Sequence, residues 1–362
     1  MCSSDLDQRQ LGKSGIVVPA LGVGVWSWGD KSMWGYGTSY TRADISQAYK
    51  ACLDAGLNFF DTAELYSIPP RRETAGSTEQ IIGSWFKERK TRDKVILATK
   101  AVGRTGMTWF RNDGAQGRLT RAQLTEAVEG SLKRLQTDYI DLYQLHWPDR
   151  TVPWGANPTL YVAAEFADDG APFEETLDIL GSFVTAGKVR HIGDSNESAW
   201  GVMRFLAEAR EKGRPRIASI QNAYNLLNRT YDVALAEISL REDVSLIAYS
   251  PLGQGYLTGK YLDGARPAGA RTTLFARGDR YEMKGTDDAI RGYLGVAKEF
   301  GRDPAQMAIA FVNQQPFVAS NLIGATTMAQ LKTNIGAAKV KLGPEVMARL
   351  DKVHQRYGNP SP

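Results

Sequence analysis

Cysteine is nearly absent from this 362-residue chain, which has only Cys2 and Cys52. One lies near the start and one in an expected helix, so neither a disulfide framework nor a CxxC metal knuckle is supported, and a reducing compartment is the default. Histidine is almost as scarce. His146, His191 and His354 are too dispersed for an H-E-x-x-H helix or a zinc triad, and no metal is expected. Long hydrophobic runs are also missing: the stretch 16–26 is interrupted by Pro19, Gly22 and Gly24, which excludes a signal-peptide core and a membrane span and points to the cytoplasm. No charge of one sign predominates. The 44 Lys and Arg against 40 Asp and Glu leave a net +4, scattered without a basic run that would track a phosphate backbone, so neither nucleic acid nor a membrane is an expected partner.

Two phosphate-binding signatures are absent too. No G-x-G-x-x-G opens a helix after the first strand, because 21–26 (LGVGVW) runs on to Trp28 and Gly29 in a loop. Residues 253–260 (GQGYLTGK) suggest a Walker loop, but the glycine spacing is wrong and Tyr261 stands where Ser or Thr must bind Mg²⁺.

What is present is an ordinary globular composition, 43% hydrophobic and 23% charged, with 8 Trp, 15 Tyr and 12 Phe. Several of these rings fall in loops, a first sign of a ligand pocket. Short β-rich runs at 21–26, 58–63, 95–101, 140–146, 191–196, 219–223, 245–250 and 321–324 alternate with helical patterns at 41–55, 77–89, 120–135, 173–186, 198–211, 231–240, 286–300 and 327–338. Thr120 and Ser198 stand where N-caps belong, and Gly56, Gly187 and Gly213 where helices stop. Strict alternation means a parallel sheet covered by helices, and eight units are the number that closes a (β/α)₈ TIM barrel; an open doubly wound sheet is the runner-up. The expected fold class is thus α/β, one barrel domain over 1–362, preceded by a short hairpin at 10–19. Long loops at about 147–172 and 251–285 follow strands four and seven and rise from the face where barrels carry their active sites.

The C-terminal strand ends deliver Asp61 and Tyr66 after strand two, Lys100 after strand three and His146 after strand four. A free Tyr titrates near 10 and a free Lys near 10.4, so an ammonium beside the phenol favours phenolate and brings the Tyr toward useful acidity. Asp61 would hold Lys100 charged, and His146 would donate to a substrate oxygen. Singly each residue reads more simply as a cap, a core ring or a solvated charge; together on consecutive strand ends they read as a proton-donating set.

Residues 61–66 (DTAELY) with Lys100 and His146 resemble the aldo-keto reductase family, whose catalytic tetrad is Asp, Tyr, Lys and His in that order. The likeness continues through 58–61 (NFFD), 137–142 (TDYIDL), 187–193 (GKVRHIG), Ser195 with Asn196, Gln221 with Asn222, and 248–252 (AYSPL). It covers roughly 10–355 and is greatest to the Tas-like bacterial NADP(H)-dependent branch, with 225–229 (NLLNR) and 257–261 (LTGKY) as supporting segments.

The resemblance implies NADP(H) as cofactor, bound without a Rossmann domain across the barrel mouth. Ser195, Asn196 and Gln221 match positions that hold the carboxamide, and Tyr249 the ring that stacks on nicotinamide. Ser250, Leu252 and Gln254 match the pyrophosphate side. Gly324, Ala325, Thr326, Gln330 and Asn334 match the adenosine end, and Arg277 is the candidate for the 2′-phosphate. Many members carry Lys in place of Gly324 and Arg in place of Gln330, a departure shared with the Tas-like and potassium-channel beta-subunit branches. The implied reaction is reduction of an aldehyde or ketone to an alcohol, with Tyr66 as general acid, Lys100 and Asp61 lowering its pKa, and His146 orienting the carbonyl. Trp26, Trp28, Trp109, Phe110 and Trp147 are candidates for the substrate pocket, with about half expected only to pack loops against the rim. The alternative is a nicotinamide-binding regulatory subunit that senses redox state and turns over slowly.

One position departs from the family pattern. Asp194 stands where an apolar residue is usual, and it either points into the mouth near Lys100 or sits buried at a cost of several kcal/mol unless paired. A solvated or helix-capping Asp194 is the simpler expectation.

Overall fold

The computed structural model describes residues 6–31, 35–153, 160–163, 166–167, 169–275 and 279–361. Strands β1 (Gln8–Gln10) and β2 (Val17–Pro19) pair antiparallel as the expected hairpin. Eight further strands, β3 (Leu21–Gly24), β4 (Phe59–Asp61), β5 (Ile96–Ala101), β6 (Ile140–Leu145), β7 (Val189–Ser195), β8 (Ile217–Ala223), β9 (Ser245–Tyr249) and β10 (Val318–Ile323), form a closed barrel in chain order. Every neighbouring pair is parallel, including β10 with β3, so the (β/α)₈ expectation holds and the open sheet is excluded.

The barrel interior is packed rather than hollow. Phe59, Ala98, Leu142, Ile247, Ala319 and Leu322 fill it, and Leu11 and Val18 of the hairpin join the same cluster. The hairpin is pressed hard against the strand starts: a Cβ on Gly12, at φ +53°, would come within 2.3 Å of the Ala218 carbonyl oxygen. The bottom of the barrel is therefore plugged, and the C-terminal mouth is left for chemistry.

Outward-facing strand residues such as Leu97, Tyr143, Ile192 and Leu246 merge with the helix layer into the main core. That layer comprises α1 (Arg42–Asp54), α2 (Ser77–Arg89), α3 (Arg121–Leu135), α4 (Phe173–Thr185), α5 (Ala199–Lys212), α6 (Leu235–Glu242), α7 (Arg271–Phe275), α8 (Thr286–Glu299), α9 (Pro304–Asn313), α10 (Met328–Gly336) and α11 (Pro344–Tyr357). Thr120 and Ser198 do cap α3 and α5, accepting from the Gln123 and Gly201 amides. Gly56, Gly187 and Gly213 take the positive φ expected of helix stops.

Three helices differ from the sequence pattern. The segment expected at 231–240 is a 3₁₀ turn at Thr230–Asp232 followed by α6 from Leu235, because Ala234 takes φ +66° between them. Helix α9 showed no period because it is buried all round, from Met307 to Val312. Helix α11 packs on α8 beyond the eighth barrel unit. No described helix is long and apolar enough to cross a membrane, and no group of three or more described His, Cys, Asp or Glu is placed to hold a metal.

Candidate active site

Register brings the tetrad together. Asp61 lies opposite Ala98 on β5, and Lys100 one inward step further along lies opposite Gln144 on β6. Lys100 is fully buried and donates to Asp61 Oδ1 at 2.5 Å and to the Thr62 carbonyl at 2.8 Å. Its ammonium stands 5.0 Å from the Tyr66 ring centroid. The Tyr66 hydroxyl and His146 Nε2 are 3.4 Å apart, with the two rings edge to face.

The second oxygen of Asp61 is also used. Gln144 and Gln221 donate to Oδ2 at 3.1 and 2.8 Å, and Gln221 also reaches Gln144 Oε1 at 3.3 Å. There is room for both amides because Gly193 points inward: a Cβ there would lie 2.8 Å from Ser219 Oγ and 3.4 Å from Gln144 Cγ. Ser195 donates to the Gln221 carbonyl at 2.6 Å; Asn196 donates to the His146 carbonyl at 2.9 Å and accepts from the Tyr249 hydroxyl at 2.7 Å. The expected carboxamide-side residues and the expected tetrad thus form one continuous polar network.

Burial controls the titration of this set. It lowers the Lys100 pKa, with Asp61 opposing the shift, and it holds the His146 imidazole neutral, helped by the Lys100 charge. The expected lowering of the Tyr66 pKa is reversed: burial, then Asp61 and Tyr249, push the phenol well above its ordinary range, and the cation opposing them is Arg271. The physical reason is first the burial of the phenol, which disfavours the phenolate, and then the negative charge of Asp61 nearby.

The other expected positions lie around the same mouth. Asn196, Ser250 and Gln254 all take left-handed backbone, at φ +57°, +58° and +57°. Strained non-glycine residues cluster where a site over-determines them. Asn225 supports this segment by donating to the Ser250 carbonyl at 3.0 Å, while Leu252 packs inward against the core. After the neighbouring strand β10, buried Asn334 donates to the Gly324 carbonyl at 3.0 Å, Ala325 packs against the core, and Gln330 accepts from the Thr326 amide and hydroxyl. Gly324 leaves space, since the nearest atoms to a Cβ there would be 3.9 Å away, one of them Trp26 Nε1. Arg277 lies outside the described residues.

Of the five aromatic candidates, about half of them expected only to pack, Trp28 packs in the helix-layer core against Phe60 and Trp85, with centroids 6.5 and 5.5 Å away. Trp147 lies tilted against His146, with ring centroids 4.6 Å apart, and with Leu65 and Val102 it forms a small cluster against which Trp109 and Phe110 pack. Trp26 lies under the Arg271 guanidinium, 4.1 Å from ring centroid to Cζ. A cavity of about 840 Å³ lies beside the tetrad rather than over it, between Trp147, Arg150, Phe173 and Trp200.

Asp194 is neither solvated nor a cap. Gly193 and Ser195 face the barrel axis, so Asp194 faces the helix layer, buried, and both of its oxygens lack a hydrogen-bond partner. Desolvation and the nearby Glu197 push its pKa well above the carboxylate range, with Arg150 opposing them.

Sequence reasoning missed Gln144, Arg271 and Arg280. Arg280 hydrogen-bonds Tyr249, and with Arg271 it brings cationic charge to the mouth from the 251–285 loop. Nothing in an aperiodic loop separates such arginines from solvated ones; Gln144 was legible only as an inward position next to a strand end.

A family model described as the Aldo/keto reductase family matches residues 20–355. The chain belongs to the aldo/keto reductase family. It is 45% identical to "Protein tas" of Escherichia coli over 359 residues, covering 99% of this chain and 100% of that protein. "Uncharacterized oxidoreductase YrpG" of Bacillus subtilis is 31% identical, with 99% and 98% covered. A "Putative voltage-gated potassium channel subunit beta" of Schizosaccharomyces pombe is 29% identical, with 95% and 92% covered. As an aldo/keto reductase, the protein is an oxidoreductase of a family that works with nicotinamide cofactors on small carbonyl compounds.

Proposed function

We propose that the protein is an NADP(H)-dependent reductase of aldehydes or ketones. The observation that carries this reading is the buried Lys100–Asp61 pair beneath Tyr66, with neutral His146 3.4 Å from the phenol oxygen. A protonated phenol beside a neutral imidazole at an open barrel mouth is suited to handing a proton to a carbonyl oxygen.

The surrounding residues fit a dinucleotide. Strained Asn196, Ser250 and Gln254 outline a path across the mouth, Gly324 leaves room at its far end, and Arg271 and Arg280 supply charge for a pyrophosphate. Lys260 lies against the same turn, its ammonium 3.0 Å from where a Gly255 Cβ would be. When bound, the nicotinamide supplies a hydride to the carbonyl carbon. Tyr66 donates the proton to the carbonyl oxygen. Lys100 then stabilises the developing phenolate from below its ring, and Asp61, held by Gln144 and Gln221, keeps the ammonium in place. His146 orients the carbonyl beside Trp147.

The test is loss of reduced-nicotinamide absorbance with an activated aromatic aldehyde, run with NADPH, with NADH and with Tyr66→Phe. Turnover that prefers NADPH and disappears in the variant supports the reading. Tight cofactor binding without turnover overturns it in favour of a regulatory subunit, the reading to which the names of the channel-beta relatives lend weight.

A further inference from the structure

We propose that Glu64 and Arg111 form a buried clamp that fits the mouth to carbonyl compounds bearing a flat apolar ring, by fixing the aromatic wall of Trp109, Phe110 and Trp147. This rests on the reductase reading and adds a selectivity device to it.

Glu64 lies between Asp61 and Tyr66, yet its side chain takes no part in the tetrad's network. Its carboxylate accepts from the Val102 amide at 2.7 Å and from both terminal nitrogens of Arg111 at 2.8 and 2.9 Å, while its own amide donates to the Lys100 carbonyl at 3.2 Å. One carboxylate therefore ties the segment carrying Tyr66 to the end of the Lys100 strand and to the loop at 103–118. Arg111 also lies 4.9 Å over the Phe110 ring, next in sequence to Trp109.

The base of that loop is fixed independently. A Cβ on Gly103 would come within 2.0 Å of the Trp147 carbonyl oxygen, and Trp147 Nε1 donates to the Arg104 carbonyl at 2.7 Å. Thr105 and Gly117 exchange backbone hydrogen bonds at 3.0 and 2.9 Å, closing the loop on itself. With its base held under Trp147 and its tip held by Glu64, the loop presents Trp109 and Phe110 as a preformed surface packed against the Trp147 cluster, and Trp147 in turn lies against His146.

A buried ion pair is weak evidence for stability, because desolvation offsets its attraction. Here both side chains are buried and Arg111 Nε has no partner, so the use of the pair is positional. The bidentate fork fixes orientation as well as distance.

The experiment removes both charges at near-constant volume, with Glu64→Leu and Arg111→Met in one chain, and uses NADPH with 4-nitrobenzaldehyde and with propanal. The expected result is a KM for the aromatic aldehyde raised about tenfold or more, since small misplacements far from the chemistry carry such effects. KM for propanal and affinity for NADPH stay close to those of the unaltered protein, and amide hydrogen exchange over 103–118 becomes faster. An unchanged aromatic KM, an equal loss on both aldehydes, or unchanged exchange over 103–118 overturns the proposal. Arg111→Lys, which keeps the charge and loses the fork, carries the same comparison if the double variant does not fold. If the unaltered protein reduces neither aldehyde, the reductase reading fails, and exchange over 103–118 still decides whether the clamp exists.

Discussion

Gln221 and Asp61, 160 residues apart, are joined by a 2.8 Å hydrogen bond from Nε2 to Oδ2. The bond links a residue expected on the cofactor side to the carboxylate that holds Lys100. Asp61 thereby accepts from three buried side chains, Lys100, Gln144 and Gln221. Asp61→Asn leaves the Lys100 ammonium buried without its counter-charge, a type of change that costs about 3–5 kcal/mol. The expected outcome is a marked fall in both melting temperature and kcat; a variant with native values for both shows that the pair is dispensable.

The pH profile follows from the directions of the shifts. Burial keeps Tyr66 protonated well above its ordinary pKa and His146 neutral well below its own. The donor thus holds its proton and the imidazole stays uncharged across the neutral range. The rate of carbonyl reduction should stay level from about pH 6.5 to about pH 9, measured as kcat/KM at saturating cofactor. An acid limb centred near 6.5 would show that His146 titrates as an exposed imidazole.

The barrel was legible because strand-like and helical segments alternate along the chain eight times, the number that closes a parallel sheet on itself. The gathering of Asp61, Tyr66, Lys100 and His146 was legible because barrels bring their strand ends to one rim, and the roles proposed for Tyr66, Lys100 and His146 come from the family likeness. Three kinds of feature were not. Helix α9 has no polar face to create a period. Glu64 and Arg111 meet only through tertiary packing across 47 residues. The direction of the Tyr66 shift depends first on how deeply the phenol is buried and then on its distance from Asp61, which spacing along a chain does not encode.

The aromatic candidates separate by where their rings pack. Trp28 is wedged against Phe60 and Trp85, so Trp28→Ala should cost about 3–5 kcal/mol in unfolding free energy. Trp109→Ala, at the half-buried rim, should leave stability nearly intact and raise KM for aromatic aldehydes. Denaturant unfolding and steady-state kinetics on the two variants check the division. A reversed pattern would place Trp28 in the pocket and Trp109 in the core.

Asp194 gives the clearest prediction about stability. Its carboxyl is buried with neither oxygen paired, and its folded pKa is raised by desolvation and Glu197. In the unfolded chain it loses its proton near pH 3.9, whereas the folded protein keeps the proton to a higher pH. The folded state binds more protons in that interval, so stability falls as pH rises from about 4 toward the raised pKa. Asp194→Asn should remove this component of the pH slope. Asp194→Val should also remove the desolvation penalty and stabilise by about 1–3 kcal/mol at neutral pH. Because Asp194 faces the helix layer and not Lys100, cofactor affinity should stay unchanged in both variants. Urea unfolding at pH 5 and pH 8 with a cofactor titration tests each part, and a Val variant less stable than the unaltered protein at pH 8 would show that the carboxylate has a partner in solution.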